Sequence, residues 1–324
     1  MGAFRLLLAM LVAISHMGIS IAGHNPGVFA VISFLIISGL VMTSLIKKNY
    51  STIDRVPAFY LDRALRLYPQ FLFYFLLACI IIGTMLPNSP TAEGISAANI
   101  IPSLGILPLD LYMFGITSTD IIPPAWSLGL EAFFYLAIPF ILIWKLRTFM
   151  FTASLMIAIT AITGVINTDI YGYRLLPGVL FIFLCGSYIF FSEKWGKILI
   201  FTAWTVQLIL FIAIQVGTVK EAPSNTEVTA GIIFGIPAIY FLSKFGYHKI
   251  DEFFGNISYG VFLNHFIFIY IFHSFGASNL YNSPSLATAL LACSFIASLA
   301  SYYFIEKPIL RYRHILRKKS RPNL

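Results

Sequence analysis

Ten apolar stretches, each 16 to 22 residues long, leave this 324-residue chain few ways to fold. They run over about 4–21, 28–46, 70–86, 126–144, 148–166, 175–191, 198–216, 228–243, 257–275 and 285–306. Runs of that length suit the roughly 30 Å of a bilayer's hydrocarbon, at about 1.5 Å of rise per helical residue. In hydrocarbon each backbone amide must be satisfied within its own segment, so the runs are helices. The expected fold is an all-α polytopic membrane protein of about ten transmembrane helices, built as a single transmembrane domain over residues 1–324 with no appended extracytoplasmic domain. With 59% of residues hydrophobic and 10% charged, a soluble globule is excluded.

Charge orients these spans. With a cytoplasmic N-terminus, 19 of the 21 Lys and Arg residues fall on the inside, and only Arg174 and Lys220 fall outside. That bias is the one expected of a ten-helix count with both termini cytoplasmic. The net charge of +8 therefore needs no nucleic-acid partner, and the basic tail 307–321 reads as a stop-transfer anchor on anionic lipid. The first run has no small-residue cleavage site and is expected to remain as a span. Cys79, Cys185 and Cys293 lie singly in apolar runs, which suits packing rather than a disulfide or metal site.

Ionisable residues inside such runs are the chemical signal, because a bilayer makes them costly. Arg5 and His16 are eleven residues apart on the first run, which puts them on one helical face about 16 Å apart. Glu131 lies five residues into the fourth run, counted from Trp126, and His16 lies five from the outer end at Ile21. Matching depth suggests a carboxylate holding an imidazole as a base. A structural polar pair satisfies the same spacing. Tyr259, Asn264 and His265 bring polarity into the ninth run, and His265 is a further candidate for lining a site or bonding a neighbouring helix.

Residues 57–69 are bracketed by prolines, and Leu61, Ala64, Leu65 and Tyr68 repeat with helical period. They predict a short amphipathic helix lying on the membrane, its other face carrying Phe59, Asp62, Arg63 and Arg66, with Asp62 and Arg66 spaced to pair. Two arginines one turn apart suit a phosphorylated ligand or lipid phosphates. Residues 87–125 belong outside, and their apolar stretch 100–113 is expected to dip back toward the bundle. Ser38-Gly39 in the second run suits close helix packing, and Glu306 is placed to pair with an Arg.

In this order the motifs become recognisable. Arg5 and His16 with ten residues between them, Ser38-Gly39, Tyr60-Leu61 with Arg63, Arg66 and Tyr68-Pro69, Trp126-Ser127-Leu128 with Glu131, Phe134 and Tyr135, Tyr259 through His265, and Ile305-Glu306-Lys307-Pro308 all fit one pattern. The sequence resembles the acyltransferase family 3 membrane proteins, which modify cell-envelope glycans, over nearly its whole length. It departs where Phe262 replaces a frequent Tyr, where Ala132 follows Glu131 in place of a second Glu, and where the acidic-Gly lead-in before Arg5 is missing.

The resemblance implies O-acyl transfer, acetyl above all, from cytoplasmic acetyl-CoA or another acyl-CoA to a hydroxyl of a lipid-linked or exported polysaccharide, with no bound cofactor or metal. It implies His16 and Glu131 as catalytic residues, Arg5, Arg63 and Arg66 as the acyl-CoA site, and Ser38, Trp126, Tyr135, Tyr259 and His265 as lining. The competing class is a carrier for a sugar or small solute with His16 and Glu131 as a proton relay, although no internal repeat supports it. The charge bias makes one prediction directly. A reporter fused after Leu324 reports cytoplasm and one inserted at Asn99 reports the outside; the opposite result at either site overturns the helix count.

Overall fold

The computed structural model describes residues 1–116, 121–246, 248–276 and 282–319. Among these residues the fold is all helical. Eight helical segments are long and apolar enough to cross a membrane, and two shorter apolar helices, α1 (Gly2–Ser15) and α7 (Arg147–Ile162), accompany them. The remaining helices are α2 (Pro26–Asn49), α3 (Val56–Met85), α4 (Pro90–Glu93), α5 (Ala97–Leu104), α6 (Trp126–Ile143), α8 (Leu176–Phe191), α9 (Lys194–Gln215), α10 (Asn225–Leu242), α11 (Lys249–Ser274), α12 (Pro284–Ser301) and α13 (Lys307–Lys319). The ten apolar runs correspond to α1, α2, α3 and α6 through α12. The protein is a polytopic all-α membrane protein.

The chain divides into two compact units. The first comprises Met1–Ser20, Leu61–Ala132 and His248–Leu316, and so contains α1, most of α3, the segment before α6, the start of α6, α11, α12 and most of α13. The second comprises Ile21–Tyr60, Phe133–Tyr247 and Arg317–Leu324, with α2 and α7 through α10.

Two boundaries differ from the sequence reading. α1 stops at Ser15, not residue 21, because Gly18 takes the left-handed conformation (φ 76°) and the chain turns away. His16 therefore caps the helix, and a count from residue 21 no longer measures its depth. In the other case a helix continues where an end was expected. Residues 57–69 are not a separate surface helix, for α3 runs through Pro69 to Met85. Proline removes one intrahelical bond, which membrane helices tolerate when a neighbour supplies another group. The bond missing at Pro69 is the one to the Leu65 carbonyl; the Tyr259 hydroxyl ties the same stretch to α11 by donating to the Leu67 carbonyl, at 2.9 Å.

The burial of that stretch is the reverse of an amphipathic helix on a lipid surface. Phe59 and Asp62 are fully buried, while Leu61 is 48% exposed. The charged face meets protein, while Leu61 points outward and Ala64, Leu65 and Tyr68 are half-buried. The apolar segment between α3 and α6 does fold back. A turn of 3-10 helix over Leu107–Phe114 follows α5, Asp110 is buried, and the backbone at Asp110 lies against Gly129 of α6.

Hydroxyls and amides hold the first unit together from within. The Asn264 side-chain amide reaches the Tyr74 hydroxyl at 3.2 Å, the Ser294 carbonyl at 3.0 Å and Ser298 Oγ at 2.9 Å, joining α3, α11 and α12. Such bonds compensate for the missing hydrophobic drive between helices in lipid. The second unit relies on glycine. A Cβ on Gly39 would overlap the Phe183 carbonyl, and one on Gly186 the Ile36 carbonyl, so α2 and α8 meet backbone to backbone. Gly39→Ala should cost about 1–3 kcal/mol. Gly83→Ala, at an exposed position with no neighbour within 4 Å, should be neutral or gain up to about 1 kcal/mol. Thermal unfolding in detergent checks the contrast, and equal melting temperatures overturn the close crossing.

Candidate functional site

α1 is fixed first at its start. The Asp251 carboxylate, in the first turn of α11, accepts from the Met1 amine at 2.8 Å, from Gly2 N at 2.7 Å and from Ala3 N at 2.9 Å. It thereby satisfies helix-end donors that lack partners and complements the positive end of the dipole. Only glycine fits at position 2, because a Cβ there would overlap the Asp251 carbonyl. This brings α1 against α11 and sets Arg5 beside Gly255.

Around that end of the unit the ionisable groups gather. The Asp62 carboxylate is fully buried and takes Arg63 as one partner and Arg313 Nε at 3.0 Å as another. Arg66 forms an ion pair with Glu306, and its guanidinium also lies over the Tyr259 ring, 5.1 Å from the centroid. Arg63, Glu306 and Arg313 are buried as well. Arg5, Arg63 and Arg313 all lie close enough to act on the charge of Arg66. Arg5, Arg63, Arg66 and Arg313 thus gather with Asp62 and Glu306 at this end of the unit. A small cleft opens against Arg66, Glu306 and Arg313.

At the other end of α1, His16 meets His265 of α11. His16 Nδ1 and His265 Nε2 are 3.1 Å apart, with the rings 20° from parallel. Phe266 lies edge-on to the His16 ring at 4.8 Å and tilted to the His265 ring at 5.2 Å, so it fixes the planes of both. His265 is fully buried and its Nδ1 is 3.1 Å from the Val261 carbonyl one turn back. One helix therefore carries an arginine into a cationic cluster and a histidine into an imidazole pair.

A family model described as an acyltransferase domain matches residues 1–303. The chain belongs to this acyltransferase family. It is also 34% identical over 194 residues, 57% of this chain and 84% of the other, to an uncharacterized protein of Aquifex aeolicus (strain VF5). No solved structure matches the chain.

Within this acyltransferase, the first unit holds Arg5, His16, Arg63, Arg66, Trp126, Glu131, Tyr259 and His265, whereas Ser38 and Tyr135 belong to the second. Glu131 is half-buried one turn into α6. The ring partner of His16 among the described residues is His265, a pairing the sequence did not indicate because the two are 249 positions apart. Three other expectations change. Asp62 joins Arg63 and Arg313 where Arg66 was anticipated. Arg63 and Arg66 point into protein, not onto a surface, because their counter-charges lie there. The tail is not simply a lipid anchor, since Arg313 is only 4% exposed. A sequence signal for Arg313 did exist: Glu306 and Arg313 are seven residues apart, two helical turns, and so share a face.

The two readings of the tail separate experimentally. Arg313→Ala leaves Asp62 with one partner fewer in a buried cluster and should destabilise by about 3–5 kcal/mol. Arg311→Ala, exposed on the same helix, should change stability by less than about 0.5 kcal/mol. Unfolding in mixed micelles measures both, and equal effects would restore the anchor.

Proposed function

We propose that this membrane acyltransferase moves an acyl group, acetyl being the simplest donor group, from cytoplasmic acyl-CoA to a hydroxyl of a lipid-linked or exported envelope polysaccharide such as an O-antigen, capsule or exopolysaccharide. The observation that carries the reading is the pair of sites on α1, an arginine cluster at Arg5 and an imidazole pair at His16, within one unit and about 16 Å apart along the helix. A polyanionic CoA head cannot enter hydrocarbon but suits a cationic cluster at its edge. The thin pantetheine arm then runs along α1 and delivers the thioester to His16. The proposal has both termini on the cytoplasmic side of a bacterial inner membrane, in line with the distribution of Lys and Arg.

In the chemical step His16 takes the proton of the acceptor hydroxyl while its oxygen attacks the thioester carbonyl. The acyl–oxygen bond forms, the carbon–sulfur bond breaks, and the CoA thiolate leaves and recovers the proton. A second route passes the acyl group through His16 itself and yields the same products. Glu131 is the carboxylate proposed to stabilise the imidazolium, and Trp126 and Tyr259 are proposed lining. Family membership favours this reading over a sugar carrier.

Purified protein given radiolabelled acetyl-CoA and a glycan acceptor should release CoA only when acceptor is present. His16→Ala and His16→Gln should abolish transfer while CoA still binds, because neither side chain takes up a proton at neutral pH. Glu131→Gln should be slowed but active. Arg66→Lys keeps a charge for Glu306 but loses the planar fork, and should weaken CoA binding by about 10- to 100-fold. Sustained turnover in His16→Gln overturns the assignment.

A further inference from the structure

We infer that His265 is a positioning residue that fixes the tautomer of His16 and so makes His16 Nε2 the atom that meets substrate. The role in catalysis rests on the reading of His16 given above; the tautomer follows from donor and acceptor chemistry alone. His265 Nδ1 is 3.1 Å from the Val261 carbonyl, and a carbonyl only accepts. The nitrogen must therefore carry the hydrogen, and in a neutral ring the lone pair then sits on His265 Nε2. That atom is 3.1 Å from His16 Nδ1. Two lone pairs facing each other at this distance would repel, so the hydrogen between the rings belongs to His16 Nδ1, and the lone pair of His16 is left on Nε2.

The surroundings hold that assignment. His265 is fully buried, which favours its neutral form. Phe266 contacts both rings and Phe262 lies 6.4 Å from His265, so rotation of either imidazole meets an aromatic wall. When Nε2 of His16 accepts a proton, the Nδ1–H bond to His265 becomes charge-assisted and strengthens. His265 touches neither donor nor acceptor in this scheme. It acts through His16.

The experiment uses the full-length protein in nanodiscs with ¹⁵N-labelled histidine, the His16 signals being assigned by their loss in His16→Gln. Wild type should show His16 protonated at Nδ1 and bare at Nε2. In His265→Leu the preference should weaken, and kcat should fall by about 10²-fold or more with the KM for acetyl-CoA unchanged. His265→Gln, whose amide oxygen can accept from His16 Nδ1, should restore the tautomer and most of kcat; if the leucine variant does not fold, the wild-type spectrum and this variant decide. A wild-type His16 protonated at Nε2, or wild-type kcat in His265→Leu, overturns the inference. Loss of transfer in His16→Gln alongside an Nε2–H wild type would leave the acyltransfer reading standing without it. The expected tautomer in a protein that never releases CoA would do the reverse.

Discussion

A carboxylate with no exposure sets the terms for one end of this protein. Asp62 lies on a helix whose other face meets lipid, so its charge can be matched only from within. Removing a carboxylate from water costs several kcal/mol even after relaxation, and attraction offsets that only where hydrogen-bonded partners are in place. Arg63 and Arg313 are those partners. The second of them recruits α13. A π-type turn over Tyr302–Glu306 precedes that helix, and the extra residue per turn resets the face that follows. Glu306 and Arg313 then both point toward α3, where Arg66 and Asp62 receive them.

α1 depends on a second carboxylate. Asp251 holds the first three residues of the chain, and the absence of a Cβ at Gly2 lets α1 lie directly on α11. Gly18 ends the helix at the opposite side. With both ends set, fourteen residues of straight helix fix the spacing of Arg5 from His16. A ligand that must touch both sites meets a rigid ruler. The short helix therefore matters more than its length suggests.

Much of this was legible in the sequence. Each of the ten apolar runs is a helix, eight within segments long enough to cross a membrane and two shorter, because hydrocarbon leaves helix as the only solution for an isolated run. His16 stood out as an ionisable group inside an apolar run, Arg5, Arg63 and Arg66 as arginines at a membrane edge, and Glu306 was placed to meet an Arg. What sequence did not carry was partner identity between distant segments. His265 and Arg313 find partners 249 and 251 positions away, and no periodicity records that. Local rules also misled at Pro69, where a helix end was expected but α3 runs on to Met85. The amphipathic pattern around Asp62 was real, but its polar face turned inward because lipid, not water, lies outside.

The two ends of α1 solve the burial of polarity in opposite ways, and the difference suits their proposed tasks. At the arginine end charge is retained, with guanidiniums held against buried carboxylates. At the histidine end polarity is kept neutral. A carboxylate in the place of His265 would stabilise a protonated His16, but it would demand its own counter-charge deep in apolar surroundings. A neutral imidazole bonded to a backbone carbonyl needs none. It orders the proton on His16 without itself carrying charge. In the proposed mechanism the transient imidazolium is left to Glu131, and ordering the proton and stabilising the cation fall to two different side chains.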